Sequence, residues 1–367
     1  MKVIEIISDT NIGGAGVLLI NRLSHTDLIR YRTLVLLPKG SLLCPRLSEI
    51  GVEYKQVDCV GDTSFDIRAI NEYKKIFKRE RPHIVNCHAS LSARIAAKLS
   101  GVPVKICTRH CAFPVRARDR ITGFFNNMLS DSFIAVADAA KDNLLEMGIK
   151  EKKITVIING SKPLAKISAD EKIVLRNRLN INENTKVLIF CARLEECKGH
   201  EWFFECVRIL KQKQLDFVVL ILGEGSQMNN LKQLSKKLLI EDKIKFLGFV
   251  EDISPYMNIA NININCSVGT ETSSLALSEG MSLGKPCVVS DYGGNPYMVR
   301  HGDNGFVCRC GDSEKMAEYI NLLFGDEKLY KKMSDSAFER FKCELNAESM
   351  TQKTNKLYGE LWAGHRA

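Results

Sequence analysis

The segment Gly269–Val289, GTETSSLALSEGMSLGKPCVV, sets two carboxylates, Glu271 and Glu279, eight residues apart. It follows the apolar run NININCS at 261–267 and closes on the apolar PCVV at 286–289. Strand, loop, helix, strand is the repeating unit of a parallel sheet. An eight-residue step turns about 80° around a helix and rises about 12 Å. With Glu271 in the loop ahead of the helix, both acids can address one extended ligand. One carboxylate would accept hydrogen bonds from a sugar's hydroxyls and the other from a ribose diol. Ser273, Ser274 and Leu275 would then offer helix-start N–H groups to phosphates. Two solvated helix acids are the plainer alternative, but the position after a strand favours the ligand.

The same alternation extends outward in both directions. KVIEII, TLVLLP, HIVNCH, VKICTR, SFIAVA and ITVII read as short strands, separated by helical stretches such as SFDIRAINEYKKIFKRE. The order restarts with KVLIFCARL and runs through FVVLILG, IKFLGFV and NININCS. Apolar runs alternating with helical periods predict parallel sheets with helices on both faces. The expected architecture is α/β, with two doubly wound Rossmann-like domains facing an inter-domain cleft. The boundaries fall at 1–160 and 161–345, with a C-terminal helix at 346–367 packing back on the first domain.

A chain of 367 residues with 45% apolar content supplies two cores. The net charge of +9 suits an anionic ligand or membrane surface without requiring nucleic acid. Thirteen cysteines are scattered, with no CxxC pair, and MKVIEIISDT reads as a strand rather than a secretory signal. A reduced, cytoplasmic setting follows as the expectation, and no apolar run of about 18 residues is present.

Three further constellations carry chemistry. SDTNIGGAG joins the first strand to the first helix, and Gly13 and Gly14 permit close approach of an anion to a helix start. It is not GxGxxG, which disfavours a dinucleotide oxidoreductase. CARLEECKGHEWFF places Arg193 and Lys198 around a turn opening a helix, where a fork and a point charge can neutralise a diphosphate. ILGEGSQ sets Glu224 in a glycine-flanked turn at a strand end.

Taken in order, the Glu-x7-Glu pair, ARLxxxKG, LGEG, Asn159-Gly160, the early GGAG and the closing GKPCVVSDYGGNPYMVRHGDNGFV resemble the retaining GT-B glycosyltransferases of family 4. The resemblance implies a metal-independent hexosyltransferase using a nucleotide-sugar, UDP-sugar favoured, with no cofactor. It implies Arg193 and Lys198 on the diphosphate, Glu279 on the ribose, Glu271 on the transferred sugar, and Gly13 and Gly14 near the donor phosphate. His110, in CTRHCAF, matches a histidine beside the reacting sugar. The sequence departs from the family pattern at Thr272 and Ser274, where glycines are usual, at Tyr297 in place of an acid, and at Lys162 after Asn159-Gly160-Ser161.

For the acceptor, His88, Arg109 and Arg116 are the candidates, and a glycan or lipid-linked precursor of polysaccharide or cell-envelope synthesis the expected class. RHCAFPVRARDRITGFF interleaves Arg109, Arg116, Arg118 and Arg120 with Phe113, Phe124 and Phe125. NEYKKIFKRERP adds Lys74, Lys75, Lys78, Arg79 and Arg81. Such a face can rest on an anionic membrane surface as a peripheral contact. Two readings stay open beside the enzyme: a non-catalytic nucleotide-sugar binding protein, and a metal protein using Cys87, His88, Cys107, His110 and Cys111. Alternation along a strand argues against the second.

Overall fold

A computed structural model of the chain describes all residues except 60–62, 89, 111–114, 116, 270 and 367, and the backbone alone of 117 and 118. Two compact units emerge, one of residues 1–161 and 347–367, the other of 162–346.

The first unit holds seven parallel strands: β1 (Lys2–Ile7), β2 (Arg32–Pro38), β3 (Glu53–Val57), β4 (Ile84–His88), β5 (Val104–Arg109), β6 (Ser132–Ala135) and β7 (Ile154–Val156), in the order 3-2-1-4-5-6-7. The second holds six: β8 (Lys186–Cys191), β9 (Phe217–Leu222), β10 (Ile244–Gly248), β11 (Ile262–Asn265), β12 (Cys287–Ser290) and β13 (Gly305–Cys308), in the order 10-9-8-11-12-13. Both sheets therefore reverse direction once, between β1 and β4 and between β8 and β11. Strand ends diverge at such a point, leaving space for a ligand beyond their carboxyl ends.

The strands form because apolar runs of four to six residues can be buried on both faces. Along β8 and β9, Leu188, Phe190, Val219 and Ile221 pack with Phe203, Phe204 and Val207, and the alternate residues Val187, Ile189, Val218 and Leu220 pack with Met257 and Ile259. Polar side chains mark where the helices begin. Asp66, Ser90, Ser274, Asp312 and Asp326 each accept a hydrogen bond from a first-turn N–H, and Ser168 and Glu171 form a reciprocal capping box.

The terminal helix Ala347–Arg366 belongs to the first unit. Its start is tied by Ala347 N–H donating to Ser161 O at 2.9 Å, and its length buries Met350, Thr351, Thr354 and Tyr358. Thr351 Oγ1 donates to Arg22 O at 3.1 Å, and Tyr31 Oη to Asn355 O at 3.1 Å. Relative to the sequence expectation, Ser161 groups with the first unit and Asn346 with the second.

Candidate active site

In the second unit the site grows from the ends of β8 and β11. Lys198 lies on a single 3-10 turn, Glu196–Lys198, ahead of the helix His200–Gln212. Its Nζ stands 2.8 Å from Glu271 Oε2, with side chains only 13% and 8% exposed. Asn265 Nδ2 at 3.2 Å and Ser267 Oγ at 2.9 Å donate to the same oxygen. Asn265 Oδ1 in turn accepts from Ser267 N–H and from Asn295 Nδ2, which also reaches Ser290 Oγ at 3.1 Å. One carboxylate oxygen is thus fixed by three donors, and those donors are fixed by a buried amide network.

Glu271 lies outside the helix, in the loop after β11, and the loop is held by Gly293. Gly293 sits at φ +59°, and a Cβ there would fall 1.9 Å from Glu271 O. Only glycine tolerates both the left-handed backbone and that approach. Glu279 sits on the helix Leu275–Ser282, half-buried, with no hydrogen bond or salt bridge from its carboxyl to any described residue. Burial pushes it up to about 7. Ser274 caps this helix through its Oγ, Leu275 opens it, and the Ser273 Oγ lies 3.8 Å from Met298 Sδ.

Arg193 is exposed after β8 and forms no salt bridge with a described residue. Glu224 is exposed after β9, its carbonyl accepting from Leu194 N–H at 2.9 Å. Tyr297, where an acid was the family expectation, donates to Glu344 Oε2 at 3.1 Å and lies under the Arg340 guanidinium, 4.8 Å from the ring centre.

The first unit carries a separate polar layer on one face of its sheet. Glu5, in the middle of β1, is fully buried and accepts from four groups. Arg22 Nη2 (2.5 Å) and Tyr358 Oη (2.8 Å) reach Oε1, and Asn86 Nδ2 (2.9 Å) and His88 Nε2 (3.0 Å) reach Oε2. Burial alone would raise the Glu5 carboxyl, but Arg22, His88 and Tyr358 outweigh it and hold the group down at about 2. His88 Nδ1 meets His110 Nε2 at 2.7 Å, with the rings within 17° of coplanar. Burial, then the neighbouring His88, pulls His110 down to about 3. Beside the pair lies a cavity of about 30 Å³ lined by Leu18, Ile134, Val136, Asn159 and Met350.

Arg109, the last residue of β5, and His110, just beyond it, turn to different partners. Arg109 Nη2 reaches Asn143 Oδ1 at 3.2 Å, on the face of Cys107 and Leu144, so it does not join the histidines. Cys87 likewise packs with Val85 and Tyr73, away from His88. At the start of the helix Gly14–Leu23, an added Cβ at Gly13 would meet Asp9 Oδ2 at an ordinary 4.0 Å and one at Gly14 would meet no described atom within 4 Å, so packing does not demand either glycine. Arg116, Phe113 and Cys111 lie outside the described residues, as does the Arg118 side chain. Sequence reasoning missed Glu5, Arg22, Asn86 and Tyr358 in one unit and Asn265, Ser267, Ser290 and Asn295 in the other. One signal was available, a lone acid inside KVIEII.

Residues 171–340 match the family model described as Glycosyl transferases group 1, and residues 32–162 that of Glycosyltransferase Family 4. The chain is 23% identical to an N-acetyl-alpha-D-glucosaminyl L-malate synthase of Bacillus anthracis, over 80% of this chain and 79% of that protein. It is 27% identical to the UDP-Gal:alpha-D-GlcNAc-diphosphoundecaprenol alpha-1,3-galactosyltransferase of Escherichia coli, over the same shares. In structure it resembles Anabaena HepE, solved in complex with UDP, with a TM-score of 0.86 at 20% identity over 98% of this chain and 100% of that one. Sucrose-phosphate synthase of Thermosynechococcus elongatus gives 0.79 at 14% identity, over 99% and 100%.

Proposed function

Because the chain is a glycosyltransferase of the GT-B type, we propose that it moves a hexose from a nucleoside-diphosphate sugar, UDP-sugar first, to a hydroxyl acceptor with retention at the anomeric carbon. The observation that carries this reading is the buried Lys198–Glu271 pair with its three donors on one carboxylate oxygen. A fixed carboxylate beside a cation suits a sugar whose hydroxyls donate while its diphosphate leaves. Arg193, exposed and without a salt bridge to a described residue, supplies the second cation. Glu279 accepts from the ribose diol, and the N–H groups from Ser273 to Leu275 face the phosphates. Glu224, at the end of β9, stands on the donor side. Preorganised charge of this kind is usually the largest catalytic contribution.

Charge on the departing diphosphate is met by Arg193, Lys198 and the helix start, so the reaction runs without an obligatory divalent cation and without a cofactor. The leaving phosphate oxygen takes the acceptor's proton. In the first unit, Gly13 and Gly14 leave room for a ligand at a helix start, and His110 addresses a substrate hydroxyl. His88 supports His110 from within. The Escherichia coli relative, named as acting from UDP-Gal on a diphosphoundecaprenol-linked sugar, supports a lipid-linked glycan as acceptor.

A membrane contact fits that acceptor. On the helix Ala117–Leu129, Ile121, Phe124, Phe125 and Met128 are all more than half exposed and share one face at i, i+3, i+4, i+7 spacing, beside Arg120. An apolar stripe flanked by cations suits an anionic bilayer. No helix among the described residues is long and apolar enough to cross a membrane.

The test is transfer itself. UDP-glucose, UDP-galactose and UDP-N-acetylglucosamine are offered with a polyprenyl-diphosphate sugar, in EDTA, and the new anomeric bond is read by NMR. An α-linked product from an α-linked donor is expected; an inverted product overturns retention, and no turnover without added metal overturns metal independence.

A further inference from the structure

The first unit opens a second cleft at the amino end of its sheet. Met1, Arg30, Tyr31 and His83, all just ahead of the neighbouring strands β1, β2 and β4, line it. The last turns of the terminal helix close it with Gly359, Trp362 and Arg366, which share one face at i, i+3, i+7 spacing. The cleft holds about 600 Å³, the size of a small-molecule site rather than of a single ion. The six residues of β1 separate it from the carboxyl ends of the strands by about 20 Å.

Its walls are held in place from behind. Tyr31 is buried and donates from Oη to Asn355 O at 3.1 Å, and the Arg30 guanidinium lies over its ring, 5.5 Å from the centre. Lys2 N–H donates to His83 Nδ1 at 2.8 Å, and His83 N–H to Lys2 O at 2.9 Å, so the neutral ring carries its hydrogen on Nε2. Burial first, then neighbouring positive charge that includes Arg366, holds His83 below the ordinary imidazole range. Trp362 meets that ring edge to face, at 4.5 Å and 71°. Gly359 keeps the helix surface bare, since a Cβ there would meet no described atom within 4 Å.

The chemistry of the lining is one-sided. Two guanidiniums, the His83 Nε2–H and the Trp362 indole N–H are donors, and no carboxylate is among the described lining residues. The nearby acids are engaged elsewhere, Glu80 with Lys2 and Arg79, and Asp27 with the N–H groups of Ile29 and Arg30. Neither Arg30 nor Arg366 forms an ion pair with a described residue. Donors and fixed positive charge beside an aromatic wall fit a ligand with several anionic oxygens and an apolar body. We propose that this cleft is a second binding site, for a phosphate ester. Arg30 and Arg366 take the phosphoryl oxygens, and Trp362 and the bare surface at Gly359 take the body. The site asks nothing of the transferase reading.

Trp202 and Trp362 are the chain's two tryptophans, so Trp202→Phe leaves Trp362, in the cleft wall, as the lone emitter. The full-length Trp202→Phe protein is titrated with phenyl phosphate, a free phosphate ester, and with phosphatidylcholine vesicles carrying phosphatidic acid, the same group on a lipid. A saturable change in Trp362 emission is expected, weakened about tenfold by Arg30→Gln and by Arg366→Gln. Both arginines are exposed, so neither variant should lose its fold. A response to the vesicles alone assigns a lipid headgroup, and a response to phenyl phosphate a soluble ester. No saturable change with either probe, the same change with sodium chloride at matched ionic strength, or equal affinity in the arginine variants overturns the proposal. If Trp202→Phe does not fold, calorimetry of the wild type and the two arginine variants with the same probes decides, with the same losses expected.

Discussion

Lys198 and Glu271, 73 residues apart in sequence, meet at 2.8 Å with both side chains nearly out of solvent. Removing the lysine leaves a buried carboxylate with only neutral donors. Lys198→Met is therefore expected to cost about 3 kcal/mol of stability and Glu271→Gln less. The double variant should recover most of the loss. A double-mutant cycle by denaturant unfolding checks this, and additive losses would show that the pair is not coupled.

Gly293 bears on the same carboxylate through its backbone. Gly293→Ala puts a methyl group into Glu271 O. Destabilisation by roughly 2–3 kcal/mol is expected, with loss of transfer out of proportion to the loss of fold. Comparing activity with folded fraction across a urea series separates the two.

Glu279 is half-buried and, by desolvation, titrates at about 7. An acid raised in the folded state holds its proton longer than in the unfolded chain, so it favours folding below about 4.5. That contribution fades as pH rises through 7. Glu279→Gln should therefore raise the melting temperature at pH 8 and change it little at pH 5. The same substitution should weaken UDP binding at pH 8, where the carboxylate is the better acceptor. Stability that does not depend on pH in this comparison would contradict the burial argument.

His200 shows the opposite sign. It is 2% exposed, stacks on Phe190 at 4.2 Å, has no hydrogen-bond partner on either ring nitrogen among the described residues, and is pulled down to about 4 by burial and then by Lys198. It folds neutral, so stability is intact above about 6.5 and falls as pH drops toward 4. His200→Phe, keeping the stack, should flatten the pH dependence of unfolding between 6.5 and 4. An unaltered slope would assign that loss to other groups.

Much of the architecture is legible because buried parallel strands need continuous apolar runs, and helices starting after Ser or Asp announce themselves. The glutamate at 271 and the basic pair at 193 and 198 were readable as residues at strand ends. Their pairing was not, since local spacing carries no signal for a contact 73 residues away. The Glu5 layer was still less accessible. Its partners come from positions 17, 81, 83 and 353 residues distant, and each looks ordinary in its own helix or strand. The sequence set Arg109 beside His88 as an acceptor candidate, but alternation sends Arg109, at the end of β5, to Asn143 while His88 turns to Glu5 and His110.

The most direct test of the account is calorimetric titration of the wild type, Arg193→Ala and Glu279→Gln with UDP, GDP and ADP. Arg193 is exposed, so its variant should keep the wild-type melting temperature. The account predicts saturable binding of one nucleoside diphosphate, UDP first, weakened about tenfold or more in each variant. Binding that is equal in all three proteins, or absent with every nucleotide, would contradict the placement of the donor in the second unit.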